Sequence, residues 1–168
     1  SSAAPIQVLT AETATLKGLI STADIIQGSS IAAGSVQLNN QFGGFVIDGG
    51  LAINTVSLRG LGDQRTLVLI NGRRPGPSGT RGAVGAFDLN LMPSSAVTRV
   101  EILKDGASTI YGSDAVGGVV NIITRTSVDA PELTVETTVP FDSGGETLSI
   151  DGAFGLNFET GSIAVSGQ

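Results

Sequence analysis

The stretch Val100–Arg125, VEILKDGASTIYGSDAVGGVVNIITR, decides the fold of this chain. It begins and ends with apolar runs, and between them lie several glycines and Tyr111, the one tyrosine of the sequence. The segment DGAS places a serine in a turn, which suggests a nucleophile. The chain contains no histidine that could serve as the base for that serine. The residues therefore favour a structural turn between two strands over a reactive one.

Alternation predicts the first of these two strands. In AVTRVEILKDG, Val100 and Ile102 fall on one face of the strand, and Arg99 and Glu101 fall on the other. A turn follows at the pair DG, and GVVNIIT predicts a second apolar strand. The two charges need either solvent or charged partners, because an unpaired buried charge is very costly.

Two short helices and another strand are predicted near the start of the chain. PIQVLT predicts a strand, and Thr10 is suited to cap a helix that runs to Leu16. STADIIQG predicts a second helix, which Ser21 or Thr22 caps and Gly28 ends.

The middle of the chain predicts two further strands between long loops. TVSLRG, residues 55–60, alternates apolar with polar residues and places Arg59 on the polar face of a strand. TLVLING, residues 66–72, is continuously apolar and ends in a turn signal, which predicts the central strand of a sheet. The glycine-rich stretches 29–54 and 73–87 predict long loops, and loops of this length in a compact domain are usually functional.

Composition excludes several classes of function. The chain has no histidine and no cysteine, which removes soft-ligand metal sites, thiol nucleophiles and disulfides, and no metal or cofactor is predicted. Aromatic residues make up only 4% of the sequence, whereas glycine occurs 24 times. These proportions favour a loop-rich protein that contains β-strands, and they do not favour an enzyme.

Charge is distributed unevenly along the chain. Residues 1–125 carry 9 basic and 8 acidic residues, a net charge of +1, whereas residues 126–168 carry 7 acidic and no basic residues, a net charge of −7. This change predicts a domain boundary at Arg125–Thr126. Neither part is basic enough, or rich enough in aromatic residues, to predict a nucleic-acid partner.

The acidic tail has the period of β-strands. In ETLSIDGAFGLNFET, residues 146–160, every second residue from Leu148 to Phe158 is apolar or glycine, and LTVETTVPF alternates in the same way. Strands of this kind are typical of a transmembrane barrel. A half-buried hairpin of a soluble sheet has the same pattern, and ordinary hairpins are far commoner.

Three segments together resemble a known family. VSLRGLG, RTLVLINGRR and VTRVEILKDGASTIYGSDAVGGVVNIITR, in this order and spacing, resemble the plug domain of TonB-dependent outer-membrane receptors over about residues 2–125. The resemblance implies an α+β fold, in which a small mixed four-stranded sheet with short helices and long loops lies inside a roughly 22-stranded barrel. Residues 126–168 then resemble the first antiparallel strands of that barrel, with most of the barrel lying outside this chain.

The resemblance also implies partners and a location. Such a plug closes the pore of its own barrel in the bacterial outer membrane, and it contacts the TonB protein through a segment expected upstream of Ser1. The ligand is a small molecule or an oligosaccharide, and siderophores, cobalamin, carbohydrates and peptides all remain open. Without the rest of the barrel, we expect residues 132–168 to fold onto the plug, to pair with another chain as a non-native dimer, or to be poorly ordered.

Two groups of residues correspond to functional positions of the family. The charges that match barrel-facing positions are Arg59, Arg99 and Glu101. The candidate ligand-facing residues in the apical loops are Asn39, Asn40, Gln41, Asp63, Gln64, Arg73, Arg74 and Arg81.

Two other interpretations remain open from the residues alone. The chain could be a soluble periplasmic or extracellular α+β module that binds a ligand through its glycine-rich loops. It could also be a hydrolase that uses paired carboxylates such as Asp63 and Asp88, although no spacing in the sequence favours that pair.

Overall fold

Two β-sheets make up most of the structure. A computed structural model of the chain describes residues 6–16, 19, 21–32, 53–78, 85–105, 107–139, 147–158 and 161–167. The helices are α1 (Ala11–Leu16), α2 (Thr22–Gln27) and α3 (Ala107–Tyr111). The strands are β1 (Ile6–Thr10), β2 (Thr66–Ile70), β3 (Val97–Leu103), β4 (Gly118–Thr124), β5 (Glu132–Thr138), β6 (Thr147–Phe158) and β7 (Gly161–Gly167). Short 3-10 turns lie at Asp63–Arg65, Leu89–Leu91, Ser94–Ala96 and Ser113–Ala115.

The first sheet is mixed and has the strand order β1-β3-β4-β2. β3 pairs with both β1 and β4 in antiparallel fashion, whereas β2 lies parallel to β4. A parallel partner needs a long crossover connection, and here the chain between β2 and β4 contains β3 itself. The mixed four-stranded sheet predicted from the sequence is therefore present.

The predicted central position of β2 is wrong, because β2 is an edge strand. Its continuous apolar run nevertheless reflects burial on both faces. Val68 packs into the larger core cluster on one face of the sheet, and Leu67 and Leu69 pack into a smaller cluster on the other. A strand at the edge of a sheet can thus carry the pattern of a central strand when helices and loops cover both of its faces.

The larger core lies on one face of the first sheet. Its buried members are Ala23, Ile26, Ala32, Val56, Leu58, Val68, Leu89, Val97, Val100, Ile102, Val120 and Ile122. On the opposite face, α3 and the turn Ser113–Ala115 cover part of the sheet through Ala107 and Ala115. The faces of β3 are as predicted, with Val100 and Ile102 in the core and Arg99 and Glu101 opposite.

The predicted strand at residues 55–60 is wrong. Residues 53–58 are not part of a strand, and all six are buried, including the polar Thr55 and Ser57. Side chains satisfy the backbone of this segment: Gln27 Nε2 donates to Thr55 O at 2.7 Å, and Leu58 N donates to Thr66 Oγ1 at 3.0 Å. Because the segment is enclosed on all sides, its alternation does not correspond to a solvent face and a core face.

The predicted helix caps agree with the structure. Thr13 N donates to Thr10 Oγ1 at 3.2 Å at the start of α1. Ser21, rather than Thr22, caps α2 in a reciprocal capping box with Asp24. Gly28 ends α2, where an added Cβ would lie 2.8 Å from Asp24 O. None of the helices within the described ranges is long and apolar enough to cross a membrane.

The second sheet is antiparallel and has the order β5-β6-β7. Its apolar side chains point away from the first sheet and are exposed, among them Leu148, Ile150 and Phe154. Asp151 and Ala153 alternate with them and are buried. β6 and β7 lie against the turn Ser94–Ala96, so the tail is folded onto the first sheet. The antiparallel strands predicted for the tail are therefore present.

The buried segment 53–58 leads to a prediction about stability. Replacing Thr55 with Val is expected to leave the free energy of unfolding unchanged, or to raise it by up to about 1 kcal/mol. The reason is that the buried Thr55 Oγ1 has no hydrogen-bond partner within the described part of the chain. Urea denaturation of the variant and the parent chain measures the difference.

The matched control is the same substitution at Thr66. Its Oγ1 accepts from Leu58 N at 3.0 Å and donates to Gly62 O at 3.3 Å. Thr66→Val is therefore expected to lower the free energy of unfolding by about 1–3 kcal/mol. Equal losses in the two variants would contradict this description of the segment.

Candidate functional site

A cleft at the start of β2 brings together three of the predicted ligand-facing residues. Its volume is about 400 Å³, and Asp63, Gln64 and Arg74 all line it. The remaining lining residues are Thr66, Leu67, Val68, Pro75, Gly76, Pro77, Gly85, Ala86, Phe87 and Asp114. The cleft is thus walled by the turn before β2, by the segment after β2 and by the turn before β4.

A sharp chain reversal after β2 explains how Arg74 reaches this cleft. Asn71 and Gly72 have positive φ angles of 50° and 77°, and Ile70 N and Arg73 O form a hydrogen bond of 2.9 Å across the turn. The Asn71 side chain fixes the turn to β4, because its Nδ2 donates to Thr124 Oγ1 at 2.8 Å. The segment after the turn therefore runs back along β2, toward the residues that precede β4.

Arg74 is held at the wall of the cleft by two contacts. Its Nη1 lies 2.7 Å from Asp114 Oδ2, and its Nη2 donates to Tyr111 O at 2.6 Å. The hydrogen bond from Arg74 lowers the pKa of Asp114 below its ordinary value, and a second hydrogen bond from Ser113 acts in the same direction. The guanidinium group is therefore positioned before any ligand arrives, although both side chains remain about half exposed.

Asp63 and Gln64 form the opposite side of the cleft. Asp63 begins the 3-10 turn before β2 and is half-buried, whereas Gln64 is exposed. The Gln64 side chain lies against Gly85, which has a positive φ of 71°. Carboxylate, amide and guanidinium groups thus face one cleft, and this combination can both accept and donate hydrogen bonds.

The other predicted ligand-facing residues lie elsewhere. Arg73 is exposed and lines a separate open cleft of about 520 Å³ beside Ile70 and Pro75. Asn39, Asn40, Gln41 and Arg81 lie outside the described residues.

Arg99 and Glu101 form a polar pair on the sheet face opposite the larger core. Arg99 Nε lies 2.8 Å from Glu101 Oε1, and Asn121 Nδ2 donates to Glu101 Oε2 at 3.3 Å. Both charged side chains are partly exposed, at 42% and 31%. The pair could accept further polar partners from a surface that covers this face.

The prediction that Arg59 lies on the polar face of a strand is wrong. Arg59 follows the buried segment 53–58 in a turn, with a positive φ of 57°. Its guanidinium group forms an ion pair with Asp105 and donates to Lys104 O. Arg59 therefore ties this turn to the end of β3, and these contacts are separate from those of Arg99 and Glu101.

The two groups that hold Arg74 at the cleft were missed by sequence reasoning. Asp114 and the carbonyl of Tyr111 are the partners of Arg74, which lies 40 residues from Asp114 in the chain. The strongest signal in the sequence for these two groups was YGSDA, residues 111–115, whose glycine, serine and aspartate are typical of a turn. That pattern does not identify Arg74 as the residue that the turn contacts. Only the parallel pairing of β2 with β4 brings the two segments together.

The carboxylates Asp63 and Asp88 do not form a catalytic pair in this cleft. Asp88 Oδ1 accepts from Asn54 N and Asn90 N, both at 3.0 Å, and so stabilises backbone at the turn Leu89–Leu91. Asp88 is not among the residues that line the cleft. In the part of the chain that the structure describes, no three acidic side chains cluster closely enough to hold a metal ion.

Similar proteins were found by sequence. Residues 1–119 match the family model described as TonB-dependent Receptor Plug Domain. The iron-regulated outer membrane virulence protein of Vibrio cholerae is 41% identical over 85 residues, which cover 49% of this chain and 13% of that protein. The vitamin B12 transporter BtuB of Photobacterium profundum is 37% identical over 122 residues, which cover 72% of this chain and 18% of that protein. The chain thus spans less than a fifth of the length of these relatives.

Solved structures of siderophore receptors have a fold similar to that of this chain. The siderophore receptor PirA of Pseudomonas aeruginosa superposes with a TM-score of 0.60 and 25% identity, and the match covers 91% of this chain and 25% of that one. A variant of the ferric enterobactin receptor PfeA of Pseudomonas aeruginosa, in complex with enterobactin, gives a TM-score of 0.61 and 26% identity over 92% of this chain and 22% of that one.

The relatives confirm the predicted fold class and outer-membrane location. The match to the family model covers β1, β2 and β3 of the mixed sheet and ends at the second residue of β4. The structural matches cover about nine-tenths of the chain, so they extend beyond the mixed sheet and include at least part of the three-stranded sheet. The chain belongs to the family of TonB-dependent receptor plug domains.

Proposed function

We propose that this chain is the gate of a TonB-dependent outer-membrane transporter. In this role the plug closes the pore of a roughly 22-stranded barrel and helps to bind a scarce nutrient, and TonB supplies the energy for uptake. The role consists of binding and gating, with no catalytic step. The observation that carries the proposal is the direct continuation of the mixed sheet into antiparallel strands with an apolar outer face.

The exposed face of β5–β7 argues against a soluble binding module. Leu148 and Ile150 are 68% and 53% exposed, and Phe154, Leu156 and Phe158 are exposed on the same strand. A soluble module would have to leave this continuous apolar surface in water, which is unfavourable. A barrel strand presents such a face to lipid, and its polar face to the plug.

We place the boundary between plug and barrel at Arg125–Thr126. β4 ends at Thr124, and Arg125 N donates to Ala96 O at 2.8 Å, so Arg125 is still tied to the first sheet. Its side chain reaches Glu132 at the start of β5, with a distance of 2.6 Å. The loss of all basic residues after Arg125 supports the same division into residues 1–125 and 126–168.

The ligand class is suggested by the named relatives. One is a vitamin B12 transporter and another is a ferric enterobactin receptor. We propose that this chain helps to take up a metal chelate of this kind, and that Asp63, Gln64 and Arg74 contact it. The convergence of these side chains on one cleft supports the assignment. Asn39, Asn40, Gln41, Arg73 and Arg81 remain further candidates for the same role.

The barrel-facing role is assigned to Arg99 and Glu101. Their guanidinium and carboxylate groups lie on the sheet face opposite the larger core and are only partly exposed. A barrel wall around the plug would enclose this pair, and polar groups on the wall would then satisfy it. Arg59 is also a candidate for the barrel-facing role. It lies in the turn after residues 53–58, and its ion pair with Asp105 holds that turn against the end of β3.

Uptake by the receptor that contains this chain is expected to require TonB. Cells with and without TonB are compared for accumulation of radiolabelled ferric enterobactin and of radiolabelled cyanocobalamin. Accumulation of either probe only in the cells with TonB supports the proposal. Uptake that is indifferent to TonB would contradict the gating function, and uptake of neither probe would contradict the proposed ligand class.

Arg74→Ala is expected to weaken binding of the transported probe about 10-fold or more, because a charge-assisted hydrogen bond is lost. Equilibrium binding to the receptor measures the change. The control is Arg65→Ala: Arg65 is exposed on the turn beside the cleft but does not line it. This control is expected to change affinity by less than about twofold, and equal effects of the two changes would refute the assignment of Arg74.

Asp114 is expected to titrate below an ordinary aspartate, and Arg74→Ala is expected to raise its pKa toward the usual value of 3.8. Because the folded-state pKa is lowered, the contact stabilises the fold above pH 3.8 and is lost as the pH falls through the lowered value. The side-chain carboxyl ¹³C signal of Asp114, followed against pH, measures both values. An unchanged titration in Arg74→Ala would contradict the pairing, and Arg65→Ala is again the control.

A further inference from the structure

A buried carboxylate joins the two sheets. Asp151 lies on the inward face of β6 and is only 4% exposed. Ser94 Oγ donates to its Oδ1 at 3.2 Å, and Ser149 Oγ donates to its Oδ2 at 2.8 Å. No cation forms an ion pair with it among the described residues, so hydroxyl groups satisfy both oxygens. Such an arrangement is costly to disrupt, because a buried charge that loses its donors has no compensation.

Further close contacts of β6 lie beside the hydrogen bond between Ser94 and Asp151. Ser95 Oγ donates to Gly152 O at 3.3 Å, next to the bond between Ser94 and Asp151. Val128, which is also buried, packs on Gly155, where an added Cβ would lie 2.7 Å from Val128 Cβ. Only glycine leaves room for Val128 at this point of β6. We call the contact of Ser94 and Ser95 with Asp151 and Gly152 the inner clasp. The packing of Val128 on Gly155 lies beside it, within residues 126–168.

Two further hydrogen bonds lie within residues 126–168, next to the inner clasp. Asn157 Nδ2 donates to Asp129 Oδ1 at 3.1 Å, and Ser162 Oγ donates to Thr126 O at 2.6 Å. These pairs are exposed, so each contributes little by itself. They keep the segment that follows β4 close to β6 and β7.

The inner clasp is attached to β3 and β4, the two central strands of the first sheet. The turn Ser94–Ala96 leads directly into β3, and Ala96 O accepts from Arg125 N, the residue after β4. β3 and β4 are the central strands, whereas β1 is an edge strand bonded to β3 alone among the described strands. Displacement of β1 would therefore break one ladder of hydrogen bonds at the edge of the sheet. Separation of the clasp would remove the hydrogen bond from Ser94 to Asp151 and uncover a carboxylate that is only 4% exposed.

We propose that the inner clasp is a fixed anchor between the plug and the barrel wall, which stays closed while the ligand passes. This inference rests on the proposed gating function. The partner of the plug at this point is a barrel strand that carries a buried carboxylate. Ser94 donates to that carboxylate, and Ser95 donates to the neighbouring carbonyl of Gly152. The passage then opens elsewhere around the plug, away from β6.

A reversible cross-link tests the anchor. The chain has no cysteine, so Ser94→Cys with Asp151→Cys creates a single pair whose side chains face each other. The double variant is made in the receptor that contains this chain. Uptake of the transported probe is then compared after oxidation and after reduction, with the two single-cysteine variants as controls. Mass spectrometry quantifies the disulfide.

The expected result is an oxidised receptor that transports within about twofold of its reduced form. A loss of about 10-fold or more on oxidation, reversed by reduction, would overturn the anchor. Failure of the two cysteines to cross-link in a receptor that still transports, both by direct oxidation and through a short bis-thiosulfonate bridge that reduction cleaves, would also overturn it, since the side chains would not be adjacent. Uptake by the reduced receptor that is independent of TonB would instead refute the gating function.

A second measurement does not depend on the disulfide. In the receptor that contains this chain, Asp151→Asn keeps the size of the side chain but removes its charge. Hydrogen exchange of the backbone amides at residues 94–97 is expected to become about 10-fold faster. Ser162→Ala, which removes an exposed β7 hydroxyl that donates to Thr126 O and does not touch Asp151, is expected to change this exchange by less than about twofold. Equal effects of the two variants would contradict a specific role for the pair formed by Ser94 and Asp151.

Discussion

The pairing of β3 with β4 is the interaction on which the rest of the structure depends. Val100 lies opposite Ile122 and Ile102 lies opposite Val120, and all four side chains are fully buried. β1 is added outside β3, and β2 is added outside β4, so both edge strands are held through this pair. The turn Ser94–Ala96, which contacts β6, leads directly into β3. Both the cleft at the start of β2 and the contact with the second sheet are therefore positioned by one antiparallel ladder.

Close packing before β4 connects the cleft to this ladder. Gly117 N donates to Arg65 O at 2.7 Å, and a Cβ at Gly117 would lie 2.9 Å from the same oxygen. Gly118 has a φ of +132°, and a Cβ there would lie 2.8 Å from Leu103 O. The turn that carries Asp63 is thus pressed against the segment between α3 and β4. The shape of the cleft depends on two glycines because no side chain fits between these segments.

The parts of the fold that depend on local sequence were predictable, and the parts that depend on distant segments were not. Helix caps and the faces of β3 follow from the residues themselves. The strand expected at residues 55–60 is absent. Thr55 and Ser57 are buried by segments distant in the chain, and Arg59 is exposed because it lies in a turn with positive φ and not on the polar face of a strand. The pairing of Arg74 with Asp114 depends on the crossover that makes β2 parallel to β4. The hydrophobic periodicity of a segment indicates its secondary structure and its buried face, but it does not show which distant segment pairs with it.

The period of β6 determines two surfaces at once. Leu148 and Ile150 point outward, whereas Asp151 and Ala153 point toward the plug. Because successive residues of a strand face opposite sides, a shift of one residue in register would place Asp151 on the apolar surface and Ile150 against Ser94. A carboxylate on the lipid face of a barrel is unfavourable, and an isoleucine would leave the serine hydroxyl without its acceptor. The hydrogen bond to Asp151 therefore helps to fix which face of the strand meets the plug, and with it the face that meets the membrane.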